Sequence, residues 1–301
     1  MLWPEAPGKI SPQERLELLL QALEGDPLLF QQRSMSKRLL AMDELDAVLG
    51  GFVSPMCGAA FSSEIESRTL ALQNRLEFAN AELYQFIRSE IIRGEKKRIF
   101  GWLEELGPDG ETTGPRPGLG FDTRDDFVAS IFQHGDPGDV SSRKSREMVT
   151  YQPTPVRHVL GLLKMANLSA DDLFVDLGSG LGHVPLLASM LAGIQSLGIE
   201  IEPTYVAKAE ECARTLRLEN ATFVTADARD ADFSKGTMFY LYSPFTGSIL
   251  DQVLASLRKE GRERRIKVCS LGPCTRNLAQ ERWLKARGPL DPDRITLFEP
   301  K

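Results

Sequence analysis

The sequence predicts an α/β fold, with a doubly wound and mostly parallel sheet in its second half and a helical region ahead of it. Three observations carry this reading. From Leu173 to Leu271 short apolar strands alternate with amphipathic helices, the pattern of βαβ units whose crossovers impose a parallel sheet. The first of these strands runs directly into a glycine-punctuated turn, LFVDLGSGLGHVP over 173–185. The first third of the chain instead repeats apolar side chains at three- and four-residue steps, the period of helices packed on one another.

The 301 residues exceed what one ordinary core needs, so two units are expected. Apolar residues make up 42% of the chain, enough for a packed interior, and the net charge of -6 gives a mildly acidic surface. Nucleic-acid binding is therefore not indicated, although a local basic groove is not excluded. No apolar run reaches the length of a membrane span, and the opening MLWPEAPGKI lacks the basic-then-apolar order of a secretory signal. Cys57, Cys212, Cys269 and Cys274 form no Cys-x-x-Cys pair, and His134 and His158 lack metal-type spacing. No metal is expected, and the expected compartment is a reducing cytoplasm.

Ser11-Pro12 with Glu14 makes a helix start, since Ser caps and Pro suits the first turn. Leu16, Leu19, Leu20 and Leu23 give that helix one apolar face, and Gly25-Asp26-Pro27 ends it. A second helix is expected over Lys37 to Leu49, stopped by Gly50-Gly51, followed by the loop FVSPMCGAAFSS. A third runs from Ser63 toward Arg93, and its Ile65, Leu72, Leu76, Ala79, Leu83 and Phe86 form a heptad-like seam. Such a seam suits packing within a helical bundle, and pairing of two subunits into a dimer through the 63–93 helix is the alternative. Lys96 to Leu106 is a further short helix.

The segment GPDGETTGPRPGLG over 107–120 is too rich in Gly and Pro for regular structure and reads as a boundary. Another helix follows Asp122 and Thr123, with Phe127, Ile131 and Phe132 as its apolar face. GDPGDVSSRKSRE, over 135–147, has little to bury and is expected to be mobile. The division expected is thus a helical region over 1–120, a linker with a helix over 121–150, and a ligand-binding domain over 151–301.

That domain opens with Tyr151-Gln152-Pro153-Thr154-Pro155, held extended by its prolines, and a helix through Val156, Val159, Leu160 and Leu163. The strand at 173–177 follows, then a helix over Val184 to Leu191. Further strands are expected at Ser196 to Ile201, Ala221 to Ala226, Thr237 to Tyr242 and Arg265 to Leu271. Helices opened by Glu202-Pro203-Thr204 and by Ser248 connect them. The tail RWLKARGPLDPDRITLFEP has two extended pieces around Gly-Pro and Asp-Pro turns, suiting a closing antiparallel hairpin.

The glycine spacing selects the ligand. Counting G-x-G-x-x-G from Gly178 puts His183 at the third glycine, so the dinucleotide fingerprint fails. What stands from Asp176 through Gly182 is D-x-G-x-G-x-G, with Gly178, Gly180 and Gly182 at alternate positions. This resembles the first motif of the class I methyltransferases that use S-adenosylmethionine, with their Rossmann-like sheet. A glycine-rich turn of another doubly wound enzyme is the plain alternative. A Tyr-x-Pro-Thr-Pro segment, a helix and then Asp-Leu-Gly-Ser-Gly is similar to bacterial and archaeal lysine methyltransferases of the disruptor-of-telomeric-silencing branch, and to those acting on the ATP synthase c subunit. The resemblance covers the second half of the chain. It implies that the 151–155 segment lies over the cofactor, with Tyr151 and Thr154 toward its methionine end.

The same resemblance assigns the acids. Glu200, near the end of the second strand, would accept both ribose hydroxyls, with Glu202 as its competitor. Asp227, ending the third strand, falls where adenine is held, with the backbone of Ala228 nearby. Asp176 would orient the glycine loop and, through water, the cofactor's ammonium. Taken singly, each is also a plain strand-end carboxylate.

The reaction implied is direct displacement at a sulfonium methyl. Relatives that methylate planar amino groups carry Asn/Asp-Pro-Pro-Tyr at the fourth strand's end, whereas this chain has Tyr242-Ser243-Pro244-Phe245. The amide clamp is absent. Tyr242 and Phe245, with Tyr240, are the candidate catalytic wall, favouring a cationic or aliphatic amine by cation–π attraction and dehydration; Tyr240 and Phe245 are equally well explained as core. His183 reads as a helix-start residue, and Arg262, Arg264 and Arg265 as a solvated turn. The expected activity is methyl transfer to a protein lysine, with a protein partner as substrate and no membrane. An RNA or small-molecule methyltransferase, or a non-catalytic protein that senses the cofactor or binds a partner, are the alternatives.

Overall fold

The structure, a computed structural model, describes residues 11–50, 61–107, 120–135 and 147–301. The opening decapeptide, residues 51–60 of the loop after the second helix, 108–119 of the Gly/Pro segment and 136–146 of the segment expected to be mobile lie outside the described residues. The chain forms two compact units, Met1–Ile87 and Arg88–Lys301, and the division falls inside a long helix.

In the first unit, helix α1 (Pro12–Glu24) starts on a reciprocal cap in which Glu14 N donates to Ser11 Oγ and Ser11 N to the Glu14 carboxylate. A short 3-10 turn, Gln32–Ser34, leads into α2 (Met35–Gly50), and α3 spans Ser63–Ile92. Leu16, Leu20, Leu29, Leu45, Leu72 and Leu76 build one core. Arg38 is wholly buried beside it. Its Nε donates to Asn80 Oδ1 at 2.6 Å, and one Nη donates to the carbonyls of Leu29 and Gln31 at 3.1 and 2.6 Å. These bonds offset the desolvation of the guanidinium and tie α2, α3 and the turn before α2 together. Of the expected seam, Ile65, Leu72 and Leu76 belong to this core, whereas Phe86 is 37% exposed and Ile87 is buried in its stead.

The second unit holds α4 (Lys96–Glu105), α5 (Thr123–Phe132) and α6 (Val156–Ala166). One carboxylate links the last two. Asp125 accepts from Asp122 N at 2.7 Å to close the capping box of α5, and from Val156 N at 2.8 Å at the start of α6.

The sheet consists of β1 (Leu173–Leu177), β2 (Gln195–Glu200), β3 (Ala221–Thr225), β4 (Met238–Tyr242), β5 (Lys267–Leu271), β6 (Leu284–Arg287) and β7 (Thr296–Pro300). Their order is β3-β2-β1-β4-β5-β7-β6. The first five pair in parallel, while β7 runs antiparallel to both β5 and β6. The helices between strands are α7 (His183–Leu187), α8 (Pro203–Thr215) and α9 (Gly247–Glu263), with α10 (Cys274–Gln280) after β5. Val175, Leu177, Phe239, Leu241, Val253 and Phe298 lie in its core.

Two expected elements differ. The helix after the glycine loop is only five residues long and passes into a π turn, Ala188–Ala192. Gly272-Pro273 does not merely end β5; Pro273 caps α10, a helix the sequence reading left out. Because β1, β2 and β3 step outward one way and β4 and β5 the other, the order reverses between β1 and β4. That reversal opens a crevice at the carboxyl ends of those strands.

Candidate active site

The crevice is floored by the glycine loop. Gly178 N and Ser179 N both donate to the carbonyl of Ile199, at 2.8 and 3.1 Å, and Gly180 N donates to Glu200 at 2.8 Å. Gly178, Gly180 and Gly182 have φ of 79°, 53° and 77°, values that favour glycine. Sterics point the same way. A Cβ on Gly178 would lie 2.3 Å from Pro244, and one on Gly180 would lie 2.1 Å from the ring of Tyr151. Gly182 serves a different purpose: its Cβ would meet Phe223 and Ala209, so it lets β3 and α8 approach the loop; neither Gly182 nor Gly180, which the Tyr151 ring covers, lines the crevice itself.

A strap over residues 147–155 closes one side. Val149 N donates to the Pro244 carbonyl and Thr246 N to the Glu147 carbonyl, at 3.1 and 2.8 Å, pairing the strap with the segment after β4. Glu147 also accepts from the Ser248 hydroxyl and from the amides of Ser248 and Ile249, capping α9 from outside it. Thr154 is hydrogen-bonded to the Tyr240 hydroxyl at 3.0 Å, and both are buried. The Tyr151 hydroxyl lies 2.8 Å from His183 Nδ1. Burial, and then the neighbouring His134, push the His183 imidazole down to about 3, while burial raises the Tyr151 phenol. The pair is therefore a neutral imidazole and a protonated phenol.

The carboxylates divide by task. Glu200 Oε2 takes Gly180 N, and Oε1 takes the amides of Ile201 and Glu202 at 2.8 and 2.9 Å. Three of about four acceptor positions are filled, which leaves room for a ligand hydroxyl. Glu202 is buried and accepts from Thr204 N and its hydroxyl, as the N-cap of α8. Asp176 is buried, and burial, followed by the charge of Glu200, pushes its carboxyl well above the ordinary range. Asp227 is clamped by Arg229 at 2.6 Å, which holds its carboxyl below the ordinary range and occupies both oxygens. Ala228 is beside it in the cavity wall.

At the end of β4, Tyr242 is half-buried, and burial followed by Asp293 pushes its hydroxyl up to about 12. Ser243 sits at φ 43°. Its hydroxyl donates to the Leu271 carbonyl at 3.1 Å and accepts from Cys274 N at 2.9 Å. Phe245 is buried and in the wall.

These residues enclose one cavity of about 380 Å³ whose wall includes Tyr151, Asp176, Gly178, Glu200, Asp227 and Tyr242. Four features of this wall are compatible with an adenosyl ligand carrying a methionine chain. The cradle tolerates no Cβ at Gly178, and the buried Ser179 hydroxyl in the wall has no hydrogen-bond partner among the described residues. Glu200 keeps acceptor capacity, and the buried acid Asp176 is suited to a cationic ammonium. Sequence reasoning missed His183 as the partner of Tyr151, Arg229 on Asp227, and Asn277 and Asp293 in the wall. The Asp227-x-Arg229 spacing was a readable signal for one of these, since it matches a local side-chain bridge.

Residues 136–239 match the family model described as "DOT1: Histone methylation protein DOT1". The chain is also similar to an RNA methyltransferase from Salinibacter ruber in complex with S-adenosylhomocysteine, with 26% identity over 49% of this chain and 92% of the other, at a TM-score of 0.40. A mutant of MtNAS in complex with S-adenosylmethionine aligns over 97% of this chain and 98% of its own, with 14% identity and a TM-score of 0.39. TrmN from Thermus thermophilus aligns over 48% of each chain, with 18% identity and a TM-score of 0.37. No curated protein matches the chain. Strand order, cradle and family match together define a class I methyltransferase fold. The chain is an S-adenosylmethionine-dependent methyltransferase related to the DOT1 type.

Proposed function

We propose that this methyltransferase acts on an aliphatic amine, a protein lysine, and that Glu200, Asp176, the Gly178–Gly180 cradle, Tyr151 and Thr154 hold the cofactor. Ala228 and Asp227, its carboxylate held by Arg229, would stand beside the adenine. Bound S-adenosylmethionine would supply a methyl group on a positively charged sulfur, already activated for displacement. The protein's part is alignment and exclusion of water.

The observation that carries the acceptor class is Tyr242 at the first position of the strand-end motif, where relatives that clamp a planar amino group carry Asn or Asp. The neighbouring Ser243 hydroxyl is spent on Leu271 and Cys274 and offers a planar amino group nothing. Tyr242 and Phe245 present aromatic surface instead, suited to an alkylammonium that must shed water and a proton before it reacts. An unperturbed lysine is neutral in only about one molecule in a few thousand at neutral pH. Desolvation against these rings favours the neutral form. With its hydroxyl pushed up to about 12, Tyr242 stays protonated at neutral pH and orients the amine through its oxygen.

No helix among the described residues is long and apolar enough to cross a membrane. The described cysteines, Cys212, Cys269 and Cys274, are free and buried, which supports a reducing cytoplasm as the working compartment. The test is transfer of labelled methyl from S-adenosylmethionine in a cell extract. Label recovered as methyl-lysine after acid hydrolysis of protein supports the assignment, and label in RNA or small molecules alone defeats it.

A further inference from the structure

The cavity continues beyond the aromatics of β4. Past Tyr242 its wall is made by Asn277 on α10 and by Pro292 and Asp293 in the loop joining β6 to β7. That loop is tied down from several sides. Gly272 N donates to the Pro292 carbonyl at 2.7 Å, the Thr296 hydroxyl donates to the Pro289 carbonyl at 3.3 Å, and Asp293 N donates to Asp291 at 3.0 Å. The charges in it are unequally answered. Arg294 pairs with Asp291 at 3.5 Å, while Asp293 makes no ion pair among the described residues. Asp293 is exposed and Tyr242 is half-buried, so the carboxylate stands at the rim and the ring stands further in.

We propose that Asp293, on its tethered loop beside Tyr242, is the residue that selects the acceptor, drawing a cationic alkylamine to the cavity mouth and turning away anionic ones. This rests on the methyl-transfer reading of the same cavity. A rim carboxylate attracts an ammonium on an aliphatic stem and repels a phosphate backbone, so it favours lysine over RNA. Its separation from the inner aromatics matters as well. Charge is used at the rim, where the amine is still protonated and hydrated, and dehydration follows at Tyr242 and Phe245, where the neutral amine is needed. The effect of Asp293 on the Tyr242 hydroxyl fits this adjacency.

The test uses the full chain saturated with S-adenosylhomocysteine, and n-butylammonium and n-butanol as charged and neutral probes of the lysine stem. Binding is followed by saturation-transfer NMR. D293N is expected to weaken n-butylammonium about threefold or more, the upper range for a partly exposed charge pair, and to leave n-butanol unchanged. D293E should restore the charged probe, and E211Q, which removes a charge from an exposed turn of α8, should match the parent. In the parent protein, n-butylammonium binding should also fall from low to physiological ionic strength while n-butanol binding does not, a readout that needs no variant. Equal binding of n-butylammonium by D293N and parent, or a salt-insensitive response, overturns the proposal and leaves methyl transfer intact. Failure of the parent to bind S-adenosylhomocysteine overturns both.

Discussion

The Tyr151 hydroxyl is hydrogen-bonded to His183 Nδ1 across 2.8 Å, joining the strap to the first residue of the helix that follows the glycine loop. The same tyrosine ring covers Gly180. Strap and cradle are therefore one rigid assembly, held by a phenol that stays protonated and an imidazole that stays neutral. Replacing His183 by Ala should leave the fold standing and weaken cofactor affinity about fivefold to tenfold, the worth of one buried hydrogen bond. Calorimetric titration of S-adenosylhomocysteine into both proteins checks this.

Two buried imidazoles make stability depend on pH. His134 and His183 are pushed down to about 4 and about 3, chiefly by burial. Unfolded, each takes up a proton near pH 6.5, while folded, neither does so until far below. Stability is therefore full above pH 6.5 and is lost as pH falls from there toward 4. Between pH 8 and 5 the loss is about 2 kcal/mol for each. Asp176, raised in the folded state, works in the opposite sense, losing stability as pH rises above the ordinary carboxylate range, so it opposes the histidines across the same window. The change in stability from pH 8 to pH 5, followed by urea unfolding, should therefore be less favourable in the parent than in H134F by about 2 kcal/mol.

The buried acid Asp176 couples cofactor binding to protons. Its raised carboxyl favours the protonated form in the free protein, and an arriving ammonium favours the ionised form, so a proton leaves on binding. Binding heats should vary with the ionisation enthalpy of the buffer, and affinity should rise with pH. D176N should bind more weakly and show no buffer dependence.

Glu200 and Glu202 separate by substitution. E200A removes the acceptor for Gly180 N and for two following amides, and cofactor affinity should fall by about tenfold or more. E202A removes the cap of α8. It should lower stability by about 1 kcal/mol and keep affinity within about threefold of the parent.

Glycines give a paired comparison. G180A would force a Cβ to within 2.1 Å of the Tyr151 ring at φ 53°, so it should displace the strap and abolish cofactor binding. G161A, in α6 with nothing within 4 Å of the new Cβ, should raise stability by about 0.5–1 kcal/mol and leave binding alone.

Much of this was legible in the residues because the relevant signals are local. The short apolar runs of the strands, the alternation of glycines and the Ser11 cap depend on neighbours in sequence, and β1, β2 and α1 stand where those signals put them. The missed features are products of tertiary contact. His183 reads as a helix start until a strap thirty-two residues away reaches it. Nothing local to Ser243 tells that Leu271 and Cys274 claim its hydroxyl. Asp293 reads as a turn residue, because only the antiparallel return of β7 brings its loop to the end of β4. Arg38 had no local signal, since its partners come from α3 and from the turn before α2.

The central claim is that the Gly178–Gly180 cradle, with Glu200 and Asp176 beside it, binds the adenosyl cofactor. Its most direct measurement is calorimetric titration of S-adenosylhomocysteine into the full chain, repeated with S-adenosylmethionine as competitor. Saturable one-to-one binding is expected, displaced by the second ligand and abolished by G180A. Absence of binding in the parent chain, or equal binding by G180A, would contradict it.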